Sequence, residues 1–317
     1  MTDNIPYFPS IRTTLGFDRM SGQRTDKEWV KRQRQTESAK FLILVDARPV
    51  LLQIEFGPAG FIRWFSSAEI TLLGLEGEEV LLLGSDPEGI PYFSLSISER
   101  TAKKRLDRWR ELEGNSELRG LAIDGAMSSE ELSLVGQAKA LAHWNLTQKC
   151  CGKCGAGTKS RDGGWRRQCW SCGQSYFPRS DPAVIMLVTD GARFILGKEE
   201  RFQERFMSVI AGFVEPGESI EHAVRRETME ETGIEVGEVK YVASQPWPFP
   251  HNIMIGCRAE ALTTEFTLND SELMDARWVS REDARLMLDK IHPEDINVPP
   301  PISIAHMLIS QFADGII

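Results

Sequence analysis

Cys151-x2-Cys154-x14-Cys169-x2-Cys172 is the spacing that most restricts how this chain can fold. Two CxxC knuckles bring four thiolates to one point, which matches the tetrahedral shell of zinc. A glycine follows each second cysteine, Gly155 and Gly173, where a tight turn suits the knuckle. Sulfur fills all four positions and leaves none open for water, so the zinc is structural. Two disulfides are the competing use of these residues. Five of the six cysteines lie between positions 150 and 172, and that clustering favours a metal site in a reducing compartment. Cys150 is an extra thiol, either a spectator or a competing ligand. Cys257, in the strand-like run IMIGCRAE, is expected to be a buried core thiol.

The 317 residues leave room for two or three domains around this ribbon. A net charge of -9 argues against a general nucleic-acid binder, because phosphate backbones are met by basic faces. MTDNIPYFPS has no basic and apolar leader, no apolar run is long enough to span a membrane, and ADGII carries no peroxisomal address. No membrane association is expected, and the expected compartment is the cytoplasm.

Strand-like runs fill the first part of the chain: KFLILVD, PVLLQI, FIRWFS, EVLLLG and PYFSLSIS, separated by GPAG and DPEGIP. Helical periodicity follows over 127–146, with Leu132, Leu134, Val135, Ala138, Leu141 and Ala142 on one face. The expected organisation is α+β in three parts: a β-rich N-terminal domain over 1–140, the ribbon over 145–178, and a C-terminal domain over 180–317. In the last, AVIMLVTDGARFILGKE reads as two strands around Asp190-Gly191, and short helices are expected near 281–290 and 302–312.

GFVEPGESIEHAVRRETMEETGI, residues 212–234, predicts a helix opened by Ser219 and closed at Gly233. Ile220, Ala223, Val224 and Thr228 form its packing stripe. Glu227, Glu230 and Glu231 then fall within an arc of about 100°. Like charges that close repel. Arg226 can pair with one of them, and a divalent cation would answer the rest, since magnesium takes oxygen ligands together with water and phosphate. The ordinary meaning of such a cluster is a solvated acidic face.

The wider spacing decides for chemistry. Gly212, Glu218, Arg226, Glu227, Glu230, Glu231 and Gly233 fit G-x5-E-x7-R-E-U-x-E-E-x-G-U, a coincidence of about 10⁻⁸ at roughly one in fifteen per specified residue. This is the Nudix box, and the chain resembles a Nudix hydrolase. Thr228 departs from the pattern, standing where an aliphatic residue is usual. The resemblance implies an α/β/α sandwich around a mixed sheet, and hydrolysis of a pyrophosphate in a nucleoside diphosphate linked to another group. It implies Mg²⁺ or Mn²⁺ held by Glu227, Glu231 and the Ala211 carbonyl, with Glu230 as ligand or water-orienting group. Which carboxylate is the base stays open.

SQPWPFP, residues 244–250, alternates three prolines with two aromatics. No helix accepts it and a central strand would lose ladder donors, so it reads as a stiff extended loop presenting Trp247 and Phe249. A surface turn or a proline-rich ligand is the plainer alternative, but no PxxP spacing is present. The run is similar to SQPWPFPxS, the signature of zinc-ribbon NADH pyrophosphatases, which also act as NAD-cap RNA hydrolases. LLLGSDPEGIPYFSL and AKALAHWN are similar to that family's N-terminal domain. The resemblance implies that Gln245, Pro246, Trp247, Pro248, Phe249, Pro250, His251 and Asn252 contact substrate, with Asn252 in place of the usual serine. It implies that Phe213 and the partner subunit's Phe177 sandwich nicotinamide in a homodimer. It also places Glu272 as a distal metal ligand, Ala305 as a backbone substrate contact and, on a looser alignment, Arg119 as a substrate residue.

The implied activity splits NADH or NAD⁺ into NMN(H) and AMP, with NAD-capped RNA 5′ ends as a further substrate. Two alternatives stand beside it: a broader hydrolase of ADP-ribose or diadenosine polyphosphates, and a non-catalytic nucleotide sensor. SQPWPFP speaks against the first, and the complete set of box carboxylates against the second. The basic runs WVKRQRQ (29–35) and KKRLDRWR (103–110) read as solvated faces.

Overall fold

The computed structural model describes residues 16–46, 48–52, 61–106, 118–123, 127–200, 204–268 and 273–317. Two compact units emerge. One takes the described residues up to Arg179 together with Pro248–His251; the other takes Ser180–Trp247 and Asn252–Ile317. No described helix is long and apolar enough to cross a membrane.

In the first unit the apolar runs become strands. Lys40–Val45 pairs parallel with Pro91–Ile97, Phe41 beside Phe93, and antiparallel with Arg48–Pro49 and Trp64–Ser66. Val80–Ser85 adds antiparallel to Pro91–Ile97 through the DPEGIP turn. Phe41 and Phe93 stack at 5.2 Å between ring centroids, among buried Ile43, Leu82 and Leu95. Each such side chain stabilises the core by about 1.5–3 kcal/mol.

The helix Ser129–Thr147 opens on a capping box between Ser128 and Glu131. Leu132, Val135, Ala138, Leu141 and Ala142 are buried as the periodicity requires, joined by Trp144 and Asn145. Leu134 is only half-buried. Its angle, about 200° from Leu132, falls between those of Leu141 and Ala138, so the face it occupies does not account for that exposure.

The ribbon is fastened within this same unit. Buried Arg167 donates to Thr158 Oγ1 at 2.8 Å, the Thr158 carbonyl at 2.9 Å, Asn145 Oδ1 at 3.1 Å and Glu79 Oε1 at 2.9 Å. Trp165 Nε1 donates to the Leu82 carbonyl at 2.7 Å. Burial of a guanidinium is tolerated because its donors and its charge are answered.

In the second unit a mixed six-stranded sheet runs in the order Val236–Trp247, Asn252–Ala261, Asp181–Thr189, Arg193–Glu199, Leu273–Ser280, with Ile210–Phe213 also paired to Asp181–Thr189. Asp181–Thr189 and Asn252–Ala261 are parallel, and the other pairs are antiparallel. Strand alternation divides the core. Val184, Met186 and Val188 pack with Ala223 and Val224 of the helix Ile220–Thr232. Ile185 and Leu187 pack with Leu308 and Phe312 of the helix Ile304–Ala313, where Ala284 and Met287 of the helix Arg281–Leu288 join them. The result is the expected α/β/α sandwich.

The SQPWPFP segment departs from the expected loop. Ser244–Trp247 completes the strand Val236–Trp247, in register with Asn252–Ile255. That strand lies at the sheet edge, where a proline costs no ladder bond on its open side. Pro248–His251 form the turn, with a cis bond between Phe249 and Pro250. Trp247 and Phe249 are half-buried rather than presented.

Candidate active site

Ser219 caps the box helix by accepting from the His222 amide at 3.3 Å, and Gly233 ends it at φ +70°, a conformation that favours glycine. The helix buries Ala223, Val224, Thr228, Glu231 and Thr232. Glu227 lies on Gly212 of the neighbouring strand. A Cβ at Gly212 would stand 1.8 Å from the Glu227 carboxyl carbon, so any side chain there would expel the carboxylate.

Arg226 does more than pair with one acid. Its Nε and Nη2 reach the two oxygens of Glu218 at 2.7 and 3.0 Å. Its Nη1 reaches Glu227 at 2.9 Å and Glu230 at 2.8 Å, and its Nη2 also donates to the Phe213 carbonyl at 2.8 Å. The guanidinium beside Glu218, with the Glu215 amide, holds that carboxyl down to about 2. The hydrogen bonds that Arg226 donates to Glu218, Glu230 and Glu227 raise it in turn, so it is always charged. One cation thereby spans three carboxylates. Glu231 is 8% exposed, while Glu230 faces solvent.

This donor set fits a hard divalent ion. It offers carboxylate oxygens on one helical arc, with one guanidinium against four acids, beside a strand whose Ala211 is exposed. Among the described residues, only the cysteines already gather three or more ligand atoms at one point. Glu272 lies outside the described residues.

The four thiols fit zinc. Cys151, Cys154, Cys169 and Cys172 place their sulfurs all within 4.8 Å of one another, with 3.6 Å for Cys151–Cys172 and for Cys154–Cys169. Tetrahedral Zn–S bonds of about 2.3 Å require sulfurs about 3.8 Å apart. The Tyr176 hydroxyl, 3.1 Å from Cys151 Sγ, brings that thiol down to about 6, towards the thiolate that a metal needs. The Ser171 and Cys172 amides point at Cys169 Sγ. Gly155 and Gly173 both adopt φ +75°. Cys150 is exposed and outside the set. Cys257 is fully buried, and burial pushes its thiol up to about 11.

Of the two aromatics expected at nicotinamide, Phe213 is 55% and Phe177 64% exposed, uncommon for phenyl rings without a partner surface. Gln245 is buried. Its Nε2 donates to the Ile302 carbonyl at 2.8 Å and its Oε1 accepts from the Ile304 amide at 2.7 Å. It therefore fixes the start of the helix that carries buried Ala305. Trp247 pairs with Asn252 across the turn. Within the first unit, Pro248 rests on Gly136, where a Cβ would come to 3.1 Å of it. Lys139 Nζ stands 4.4 Å from the Phe249 centroid, and His251 packs 5.6 Å from His143. Pro246 and Pro250 are exposed, as is Arg119 on the short helix Leu118–Ile123. The Gly212 cradle and the Gln245 anchor were missed by sequence reasoning. Gly212 and Glu218 stood in the box spacing, which was the available signal for the cradle and for the Arg226 clamp; Gln245 had none.

Comparison with known proteins adds to this geometry. Residues 179–300 match a NUDIX domain, and residues 34–144 match an NADH pyrophosphatase-like rudimentary NUDIX domain. NAD-capped RNA hydrolase NUDT12 of Homo sapiens is 32% identical over 334 residues, covering 93% of this chain and 71% of that protein. NAD(P)H pyrophosphatase NUDT13, mitochondrial, of Mus musculus is 32% identical over 314 residues, covering 92% and 88%. NAD-capped RNA hydrolase NudC of Mycobacterium bovis is 40% identical over 204 residues, covering 62% and 64%.

Proposed function

The chain belongs to the Nudix hydrolases that carry an NADH pyrophosphatase-like domain, and is thus a hydrolase of pyrophosphate bonds; from that premise we propose that it splits NAD(H) into NMN(H) and AMP and removes NAD caps from RNA 5′ ends. The observation that carries this reading is the strand Ile210–Phe213. Three consecutive residues supply an exposed carbonyl-bearing position at Ala211, the bare backbone at Gly212 on which Glu227 rests, and an exposed phenyl at Phe213. That adjacency supports a metal-holding role for Ala211 and Glu227 beside a nicotinamide-stacking role for Phe213.

Ala211, Glu227, Glu230 and Glu231 would hold Mg²⁺ or Mn²⁺, with Glu272 joining them by family resemblance. When bound, the ion would polarise the pyrophosphate and lower the pKa of an attacking water. The chain's own residues prepare that site. Glu218 fixes Arg226 through two bonds, and Arg226 fixes Glu227 and Glu230. Their lone pairs are oriented before substrate arrives, which lowers the reorganisation needed during reaction. Phe213 and the partner subunit's Phe177 offer stacking faces for nicotinamide in a homodimer, worth about 0.5–1.5 kcal/mol beyond area burial. Zinc in the four thiolates would hold the ribbon and take no part in hydrolysis. The cytoplasm is the proposed compartment, consistent with six free cysteines.

Product analysis tests the assignment. NADH, NAD-capped RNA and ADP-ribose are incubated at equal concentration with Mg²⁺ or Mn²⁺. NMNH with AMP from NADH, and a 5′-monophosphate RNA from the capped substrate, are expected at higher kcat/KM than cleavage of ADP-ribose. Equal or faster turnover of ADP-ribose would move the enzyme to the broader class.

A further inference from the structure

The ribbon sheet has a face that neither the thiol cluster nor the fold uses. Thr158–Arg161 pairs with Arg166–Cys169, Lys159 opposite Gln168 and Arg161 opposite Arg166; Ser175 in turn pairs with Gln168. Thr158, Arg167 and Cys169 are buried on one side. Alternation places Lys159, Arg161, Arg166, Gln168 and Ser175 on the other, with Lys159 and Arg161 exposed.

Two observations separate this face from ordinary solvated charge. First, Arg161 and Arg166 stand directly opposite across the strands, an arrangement that destabilises a sheet. Asp162 answers Arg166, at 2.6 and 3.1 Å. Among the described contacts, Arg161 donates to the Ser160 carbonyl at 3.1 Å and meets no carboxylate. A chain of net charge -9 therefore sets three cations against one acid here.

Second, Trp170, in the turn that follows the strand, is 65% exposed. Its ring is laid on Gly157: a Cβ there would stand 2.4, 2.7 and 2.8 Å from three atoms of the six-membered ring. The Trp170 amide donates to the Gly157 carbonyl at 3.3 Å, and Lys159 Nζ stands 5.8 Å from the ring centroid. The indole is fixed in place beside the Cys169 knuckle while most of its surface meets solvent.

We propose that this face binds single-stranded RNA, the body of a capped substrate, with a base stacked on Trp170 and phosphates paired to Lys159 and Arg161. An aromatic platform among cations is the sequence-tolerant way of holding a single strand, and charge complementarity names the occupant as a polyanion. This rests on the proposed removal of NAD caps.

The test compares wild type, Trp170→Ala and the double variant Lys159→Gln/Arg161→Gln. It measures kcat/KM on NADH and on an unstructured 5′-NAD-capped RNA oligonucleotide, and binding of the uncapped oligonucleotide across a salt series. NADH turnover should be unchanged in both variants. Capped-RNA kcat/KM should fall about tenfold in Trp170→Ala. The double variant should flatten the slope of log K against log salt by about 1.4. Zinc content is measured alongside; if Trp170→Ala loses zinc, the double variant, altered only at exposed positions, decides. Unchanged capped-RNA turnover and unchanged oligonucleotide binding would overturn the surface. A wild type that binds the oligonucleotide through these residues but leaves NADH intact would instead overturn the proposed reaction and keep the surface.

Discussion

Thr228 sits at 0% exposure on the box helix, and among the described atoms its hydroxyl has no hydrogen-bond partner. A buried polar atom left unsatisfied costs about 1–3 kcal/mol. Thr228→Val keeps the shape and removes that atom, so it should raise stability by about 1–2 kcal/mol, read from the denaturant midpoint. No gain would mean that the hydroxyl has an unseen water. Glu218 permits a pH prediction. Its carboxyl lies near 2 in the fold against 4.5 ordinarily, held by Arg226. A depressed acid contributes stability that is fully present above 4.5 and is lost as pH falls through about 2. Wild type should therefore lose stability between those values more steeply than Glu218→Gln in acid titration of unfolding. Parallel curves would show that the Arg226 clamp contributes nothing to the fold.

Among the elements, those written locally were legible. The ribbon came from four cysteines within 22 positions, and the box helix from Ser219, its apolar stripe and Gly233, because knuckles and caps involve residues close in sequence. What was not legible depends on distant partners. Pro246 argued for a loop because sheet order is a long-range property, and only the completed sheet shows Val236–Trp247 at its edge. Gln245 stood in the signature as an expected substrate contact, and nothing near it in sequence announces that its amide binds Ile302 and Ile304 across more than fifty residues. Glu227 resting on Gly212 likewise needs the strand and helix to be docked. The ribbon carries its own prediction. Cys151→Ser removes one of four thiolates, so zinc per chain and thermal stability should fall together. Cys150→Ser should leave both unchanged, since its thiol stands outside the cluster. Loss of zinc in the Cys150 variant, measured by elemental analysis, would show that the ligand set is wrongly drawn.

At the scale of the whole molecule, the proposed homodimer makes the partner subunit's Phe177 part of each nicotinamide site, and this can be tested without a structure of the dimer. Glu231→Gln keeps the shape of a buried carboxylate and removes its charge, so it should cut kcat by orders of magnitude, because a divalent site supplies several kcal/mol to the transition state. Phe177→Ala should leave the carboxylates intact and weaken NADH turnover more than ADP-ribose turnover, since only NADH carries nicotinamide. Now let the two variants be co-expressed and the mixed dimer isolated by two affinity tags. If Phe177 acts across the dimer, the subunit with intact Glu231 receives an intact phenyl from its partner, and one full site is rebuilt. The mixed dimer should then recover about half of wild-type kcat/KM on NADH, while the opposite site, lacking both groups, stays silent. If Phe177 serves its own subunit, no site in the mixed dimer holds both residues. NADH turnover would then be no higher than half that of the Phe177→Ala homodimer, and the shared site would have to be abandoned while the hydrolytic assignment of Glu231 stood.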